Sequence, residues 1–226
     1  MTIALITGAD KGIGHESARL LGARDEERGR AAARRLGQPY LALDVTDAAS
    51  VAAAARRLRD EYGGLDILVN NAAVAGVRRG ASPSATALAD LREVYETNVF
   101  GVVAVTNAML PLLRQSPAAR IVNVSSELGS LGLATDPGSP FWARNNLIYN
   151  SSKSALNMVT VAYAKELVDT PIKVNAASPG YCATDMTAHR GPRSAEQGAA
   201  IVVRLATLDA DGPTGAFLAD EGAVPW

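Results

Sequence analysis

The sequence predicts an α/β fold, a doubly wound parallel sheet with helices on both faces. Three observations carry this reading. Short aliphatic runs recur along the chain, each of strand length and each followed by Gly, Asn, Asp or Ser. Longer apolar-periodic stretches lie between them, as crossover helices would. The runs are apolar throughout rather than alternating, which is the mark of strands buried on both faces in a parallel sheet.

The strand candidates in chain order are Ile3–Ile6, Tyr40–Leu43 ending at Asp44, Leu65–Val69, Arg120–Val124 and the weaker Ile172–Ala176. Ser50–Tyr62 reads as a helix because Asp47 is a good N-terminal capping residue ahead of an Ala- and Arg-rich stretch. Leu88–Leu113 is a long helix stopped near Pro111, and Asn150–Val168 is another, ended by Thr170-Pro171. In such sheets ligands bind beyond the carboxyl ends of the strands, so informative residues should follow the runs directly.

Bulk properties set the outer bounds. The 226 residues suit one α/β domain spanning the whole chain, 1–226. A hydrophobic fraction of 48% with 20% charged residues argues against disorder. A net charge of -1, with Lys and Arg scattered, offers no field for nucleic acid. No basic leader opens the sequence, and no stretch is expected to approach membrane-spanning length. The single cysteine, Cys182, excludes an internal disulfide framework and fits a reducing, cytoplasmic setting. His15 and His189 stand far apart without ligand-spaced neighbours, so no metal site is expected.

The first run leads into Thr7-Gly-Ala-Asp-Lys-Gly-Ile-Gly14, whose glycines at 8, 12 and 14 allow a tight turn and a close approach of backbone amides to a pyrophosphate. Its place between a strand and a helix favours dinucleotide binding in a Rossmann-type fold. Asn70-Asn71-Ala72 follows the Leu65 run and, taken alone, reads as a polar turn. Asn98 lies inside an apolar helix, so it is either a satisfied structural amide or part of a relay. Tyr149 and Lys153 are four apart at the start of a helix and share one face. An ammonium beside a phenol lowers the phenol's pKa and brings it nearer to acid/base work, though the same spacing also suits a solvated helix face. Ser126, after the Ile121 run, would place a hydroxyl at the carboxyl edge of the sheet.

Together these motifs, with Asp44-Val45 and Pro179-Gly180, resemble the short-chain dehydrogenase/reductase family. They occur in that family's order over nearly the whole chain. The opening Thr-Gly-Ala-x-Lys-Gly-Ile-Gly and the closing Gly212–Trp226 segment look like its carbonyl reductase branch.

The resemblance implies an oxidoreductase that reduces an aldehyde or ketone, with Tyr149 as general acid/base and Lys153 lowering its pKa and holding the nicotinamide ribose. Ser126, the second of its pair, would orient the carbonyl, and Asn98 would hold a water leading from Lys153. Asp44 and Val45 would meet the adenine, and Asn71 and Ala72 its ribose. Gly8, Gly12, Ile13 and Gly14 would line the phosphates. Pro179, Gly180, Cys182 and Thr184 would bind the carboxamide. Arg24, assisted by Lys11, would meet a 2′-phosphate, making NADP(H) the expected cofactor in preference to NAD(H). The expected partner is a small carbonyl or alcohol, with no nucleic acid or membrane, on a monomer or homodimer. The alternative is a non-catalytic relative that senses cofactor or ligand through an impaired adenosine site; a nucleotide-sugar epimerase ranks lower, for want of chain after Gly180.

Two departures from the family pattern stand out. Arg24 lies ten residues past Gly14, where a dinucleotide fold needs about 20. A helix confined to His15–Leu21 is about 10 Å long, too short to run back along a full strand. Either this helix is stunted, or the second strand is missing and residues 22–24 form a loop, or a segment of about ten residues is absent; the last is preferred, and each shortens the second βαβ unit. Further on, Ser126 and Tyr149 are 23 apart, wider than the family's short form. The inserted Asp136–Trp142 is either a surface loop, a wall of the substrate pocket through Phe141 and Trp142, or a mask over a dimer face.

Overall fold

The computed structural model describes residues 2–18, 21–23, 40–76 and 82–226. Eight strands form one sheet: β1 (Ala4–Thr7), β2 (Leu21–Ala23), β3 (Tyr40–Ala42), β4 (Ile67–Asn70), β5 (Arg120–Val124), β6 (Lys173–Ala177), β7 (Phe217–Ala219) and β8 (Gly222–Ala223). Their order is β3-β2-β1-β4-β5-β6-β7-β8, parallel throughout except for the antiparallel β7–β8 edge. The winding reverses between β1 and β4, which opens a crevice at the carboxyl ends of those two strands.

The strand period of two sorts the aliphatic runs onto opposite faces. Leu5, Leu68, Ile121 and Val174 stand side by side in register and face α2 (Ala48–Tyr62), α3 (Leu88–Leu113) and α5 (Leu147–Glu166). The next row, Ile6, Val69 and Val122, faces α6 (Ala195–Ala206) through Ile201, Val202 and Leu205. All five residues of β5 are buried, as a central parallel strand requires. Truncating a residue such as Leu68 to Ala would cost about 2–5 kcal/mol.

Helix limits follow local chemistry: the Ser130 hydroxyl accepts from the Leu133 N–H at 3.0 Å and starts the short α4 (Leu131–Thr135). The Asp47 carboxylate accepts from the Ala49 N–H at 2.9 Å and starts α2, which ends where Gly63 turns left-handed. Asn146 Oδ1 accepts from the Tyr149 N–H and starts α5 at Leu147, three residues before the expected Asn150. Helix α3 runs unbroken for 26 residues with a π-helical stretch at Glu96–Phe100 and Pro111 in its last turns. Its length and apolar composition pass for a membrane span, which corrects the expectation that no stretch approaches that length. Its apolar residues Val105, Met109, Leu112 and Leu113 are instead buried against the sheet as a core helix.

The second βαβ unit is short in a specific way. Helix α1 (Gly12–Ser17) has six residues, and β2 follows four positions later, pairing Leu21 with Ile6 and Gly22 with Thr7. A helix this short cannot carry the chain back to the start of β1, so β2 enters beside its carboxyl half. The reading in which the second strand is lost is thereby corrected: the helix is stunted and the strand is kept. Arg24 lies outside the described residues.

Candidate active site

The residues singled out by sequence converge on the carboxyl edge of β1, β4, β5 and β6. Gly8 follows β1 with φ +62, and a Cβ there would fall 2.9 Å from Ala72 Cα. That close approach lets the glycine-rich turn sit against the Asn70–Ala72 turn after β4. The hydroxyl of Thr7 accepts from the N–H groups of Asn71 and Ala72, each at 3.0 Å, and Asn71 Nδ2 donates to the carbonyls of Thr7 and Gly8. The two turns are thus one unit. Gly12 and Gly14 lie in α1, whose N-cap Lys11 supplies no side-chain cap, and Ile13 packs toward the cluster beneath α6.

Lys153 is 2% exposed, and its Nζ donates to the carbonyl of Val124 at 2.7 Å. The same nitrogen lies 5.7 Å from the centre of the Tyr149 ring. Burial lowers the lysine to a pKa of about 7, because the interior disfavours the ammonium. Tyr149 is half-buried one turn earlier on α5. A helix face bearing a buried lysine is not a solvated one.

The two serines after β5 have separate environments. Ser125 is buried and donates to Asn157 Oδ1 at 2.5 Å, tying β5 to α5. Ser126 is half-buried, and its Oγ accepts from the Leu128 N–H at 3.2 Å to cap the turn Glu127–Gly129. Ser126 is therefore the serine whose hydroxyl proton is not committed to the helix.

Asn98 sits in the π-helical stretch of α3. Its Oδ1 accepts from the Val74 N–H at 2.9 Å, and its Nδ2 donates to the Val74 carbonyl at 2.9 Å and to Ser152 Oγ at 3.0 Å. The amide staples the chain after β4 to α5, the satisfied arrangement that a buried amide demands.

On the outer rim, Asp44 Oδ1 accepts from the N–H and the hydroxyl of Thr46, and Val45 is buried against Gly101 of α3. After β6, Pro179 and Gly180 lead to Cys182, which is buried with its thiol donating to the Pro179 carbonyl at 3.3 Å. Burial raises that thiol, which suits a packed residue and not a nucleophile. Thr184 caps the turn Asp185–Thr187 beside Gly12. Lys11 Nζ lies 2.7 Å from Asp185 Oδ2, so an ion pair links the glycine-rich turn to the loop after β6.

A family model described as short chain dehydrogenase matches residues 2–195. The chain belongs to the short-chain dehydrogenase family. A short-chain dehydrogenase of Penicillium roqueforti is 40% identical, covering 91% of this chain and 88% of that protein. Mouse carbonyl reductase [NADPH] 1 is 32% identical over 281 aligned positions, covering 99% of this chain and 98% of that protein. With 226 residues here, that relative carries internal stretches that this short-chain dehydrogenase lacks. The structure of NADPH-bound carbonyl reductase from chicken fatty liver matches the whole of this chain and of its own with a TM-score of 0.82 at 28% identity.

Parts of the short-chain dehydrogenase site escaped sequence reading. Gly129 lets the turn after Ser126 touch Lys153, since a Cβ there would fall 2.7 Å from the lysine's own Cβ. A buried chain of amides and hydroxyls crosses the sheet: Asn70 donates to Asn123 at 2.8 Å, and Asn123 to Thr160 at 2.9 Å. Polar residues at aliphatic strand positions were the available signal. Glu127, next to Ser126, is half-buried and accepts from Ser178 at 3.1 Å, and burial raises its carboxyl. The inserted Asp136–Trp142 folds as tight turns with Trp142 exposed, while Trp226 stacks on Phe217 and its carbonyl accepts from Gly132.

Proposed function

We propose that this chain reduces an aldehyde or ketone to the alcohol with NADPH, Tyr149 acting as the general acid. The observation that carries the reading is Lys153, a buried amine beside the Tyr149 ring, on the same edge of the sheet as Ser126. Among the described residues no carboxylate partners the Lys153 amine, and burying such an amine works against folding, so these groups cluster where chemistry needs them. When protonated, Lys153 would stabilise the phenolate that remains after Tyr149 gives its proton to the carbonyl oxygen. The Ser126 hydroxyl would donate to the same oxygen and fix its direction. Asn98 contributes by holding the chain at Val74 and the start of α5 in register.

The residues present fit a nicotinamide dinucleotide. Gly8 and Gly12 have positive φ, and the first turn of α1 receives no side-chain cap, leaving its N–H groups to a phosphate. Gly8, Gly12, Ile13 and Gly14 would hold the pyrophosphate, Lys11 would meet the 2′-phosphate, Asn71 and Ala72 the ribose, and Asp44 and Val45 the adenine. Pro179, Gly180, Cys182 and Thr184 would hold the carboxamide. When bound, the reduced nicotinamide supplies the hydride. The relatives named for NADPH support the phosphorylated cofactor, and Lys11 is the cation that the glycine-rich turn supplies.

The test is NADPH against NADH oxidation over a panel of ketones and quinones. Wild type is expected to turn over with NADPH preferred. Tyr149→Phe should lose more than 100-fold in turnover with an unchanged circular dichroism spectrum. A Tyr149→Phe enzyme with near-wild-type rates removes the role given to Tyr149. Wild type that binds no NADPH at millimolar concentration favours a ligand-sensing protein instead.

A further inference from the structure

The loop that leaves β6 after Ala177 and returns at α6 is closed at its base by one residue that none of the site motifs includes. Arg193, just before the Ser194 cap of α6, runs back along the start of the loop. Its carbonyl accepts from the Ala183 N–H at 2.7 Å, and its backbone pairs in parallel with Cys182. Its side chain crosses Gly180, which has φ +75. A Cβ at Gly180 would fall 2.9 Å from Arg193 Cδ, so the glycine makes room for the arginine stem as well as for the turn.

Beyond Gly180 the guanidinium reaches a different part of the fold. Its Nη2 donates to the Asp220 carboxylate and, at 3.0 Å, to the Gln197 carbonyl. Its Nη1 lies 3.8 Å from Glu221. Asp220 and Glu221 form the turn between β7 and β8, at the end of the sheet. Both partners of the main pair are largely shielded, with side chains 27% and 32% exposed, a setting in which a charge-assisted contact holds geometry better than a surface pair does.

We propose that Arg193 is a positioning residue for the cofactor loop: gripping the β7–β8 turn through Asp220 with its stem laid across Gly180, it holds Pro179–Thr184 in the shape that receives the carboxamide end of the cofactor. The inference rests on the proposed function for what the loop binds, and on the contacts above for the clamp. Arginine suits the task through its long apolar stem and its fork of donors, which reach Gly180, Gln197 and Asp220 at once.

Arg193→Met keeps the stem and removes the fork. It is expected to raise the NADPH dissociation constant, read by fluorescence titration, about tenfold, while turnover at saturating NADPH stays within about threefold. Asp220→Asn should do the same, and the double variant should be no weaker than the worse single variant by more than about twofold, because both remove one contact. Arg193→Lys should recover part of the loss. Variants that melt earlier yet bind NADPH as wild type does would overturn the proposal, since a merely structural arginine behaves so.

A second readout does not depend on cofactor. Amide exchange at Ala183 should accelerate in Arg193→Met, and unchanged exchange there also overturns the clamp. Failure of wild type to bind NADPH would sink the proposed function, and the Ala183 exchange would still decide the clamp.

Discussion

The Nζ of Lys153 donates a hydrogen bond to the carbonyl oxygen of Val124 at 2.7 Å, fastening α5 to the last residue of β5 immediately ahead of Ser125 and Ser126. The contact helps set the distance between the helix that bears Tyr149 and the turn that bears Ser126. It also takes the amine out of water, and burial brings its pKa to about 7. The group that positions the proposed acid is therefore one that titrates near neutrality.

The first prediction concerns rate. Lys153 is charged below its pKa and neutral above it, and the charged form is the one that stabilises a Tyr149 phenolate. The value of kcat/KM for carbonyl reduction, which reports the free enzyme, should fall on the alkaline side with a midpoint near 7. A profile flat from pH 6 to 9 would show that the charge of Lys153 does not matter to the reaction.

Stability should move the other way. The folded-state pKa of Lys153 is depressed below its ordinary value of 10.5, so between about 7 and 10.5 the unfolded chain binds a proton that the folded chain does not. The charge penalty on folding is therefore largest below pH 7 and is relieved as pH rises toward 10.5. Relative to Lys153→Met, wild type should gain at most about 1.4 kcal/mol per pH unit across this window. Urea midpoints of the two proteins at pH 7 and pH 9.5 measure it, and parallel curves would contradict the buried neutral amine.

The paired serines separate function from packing. Ser126→Ala should lower kcat/KM by about 100-fold with little change in melting temperature, as expected for loss of a group that polarises the reacting oxygen. Ser125→Ala removes the donor to Asn157 and should cost about 1 kcal/mol of stability while leaving kcat/KM within about fivefold. Exchanged outcomes would move the proposed role to Ser125.

How much of the fold and of the site is legible in the sequence depends on the range of the interaction. The parallel strands were legible because burial on both faces leaves an unbroken aliphatic run. The edge of the crevice was legible because glycine and asparagine must follow those runs. Strand β7, three residues long, carries too short a run to show a period. Helix α6 did carry a signal, the Ser194–Gln197 capping box, but no motif drew attention to it. The fate of Asn98 turned on Val74, 24 residues away, and that of Arg193 on Asp220, 27 residues away. Periodicity and local propensity hold no record of such contacts. The short α1 was legible as an anomaly of spacing; that the chain keeps β2 and shortens the helix is decided by the pairing of Leu21 with Ile6.

The last prediction uses the ion pair between Lys11 and Asp185. Lys11 is the cation proposed for the 2′-phosphate, yet its ammonium is already held by Asp185, whose other oxygen lies 3.0 Å from His189. The Lys11 contact keeps the Asp185 carboxyl below its ordinary range, so the aspartate stays ionised down to acid pH and competes with a phosphate for the same cation. Both side chains are more than half exposed, so the competition is weak and screened by salt. Asp185→Asn should therefore lower the KM for NADPH by about twofold to fivefold and leave that for NADH nearly unchanged, with the gain shrinking in 0.5 M salt. An equal effect on the two cofactors would place Lys11 away from the 2′-phosphate.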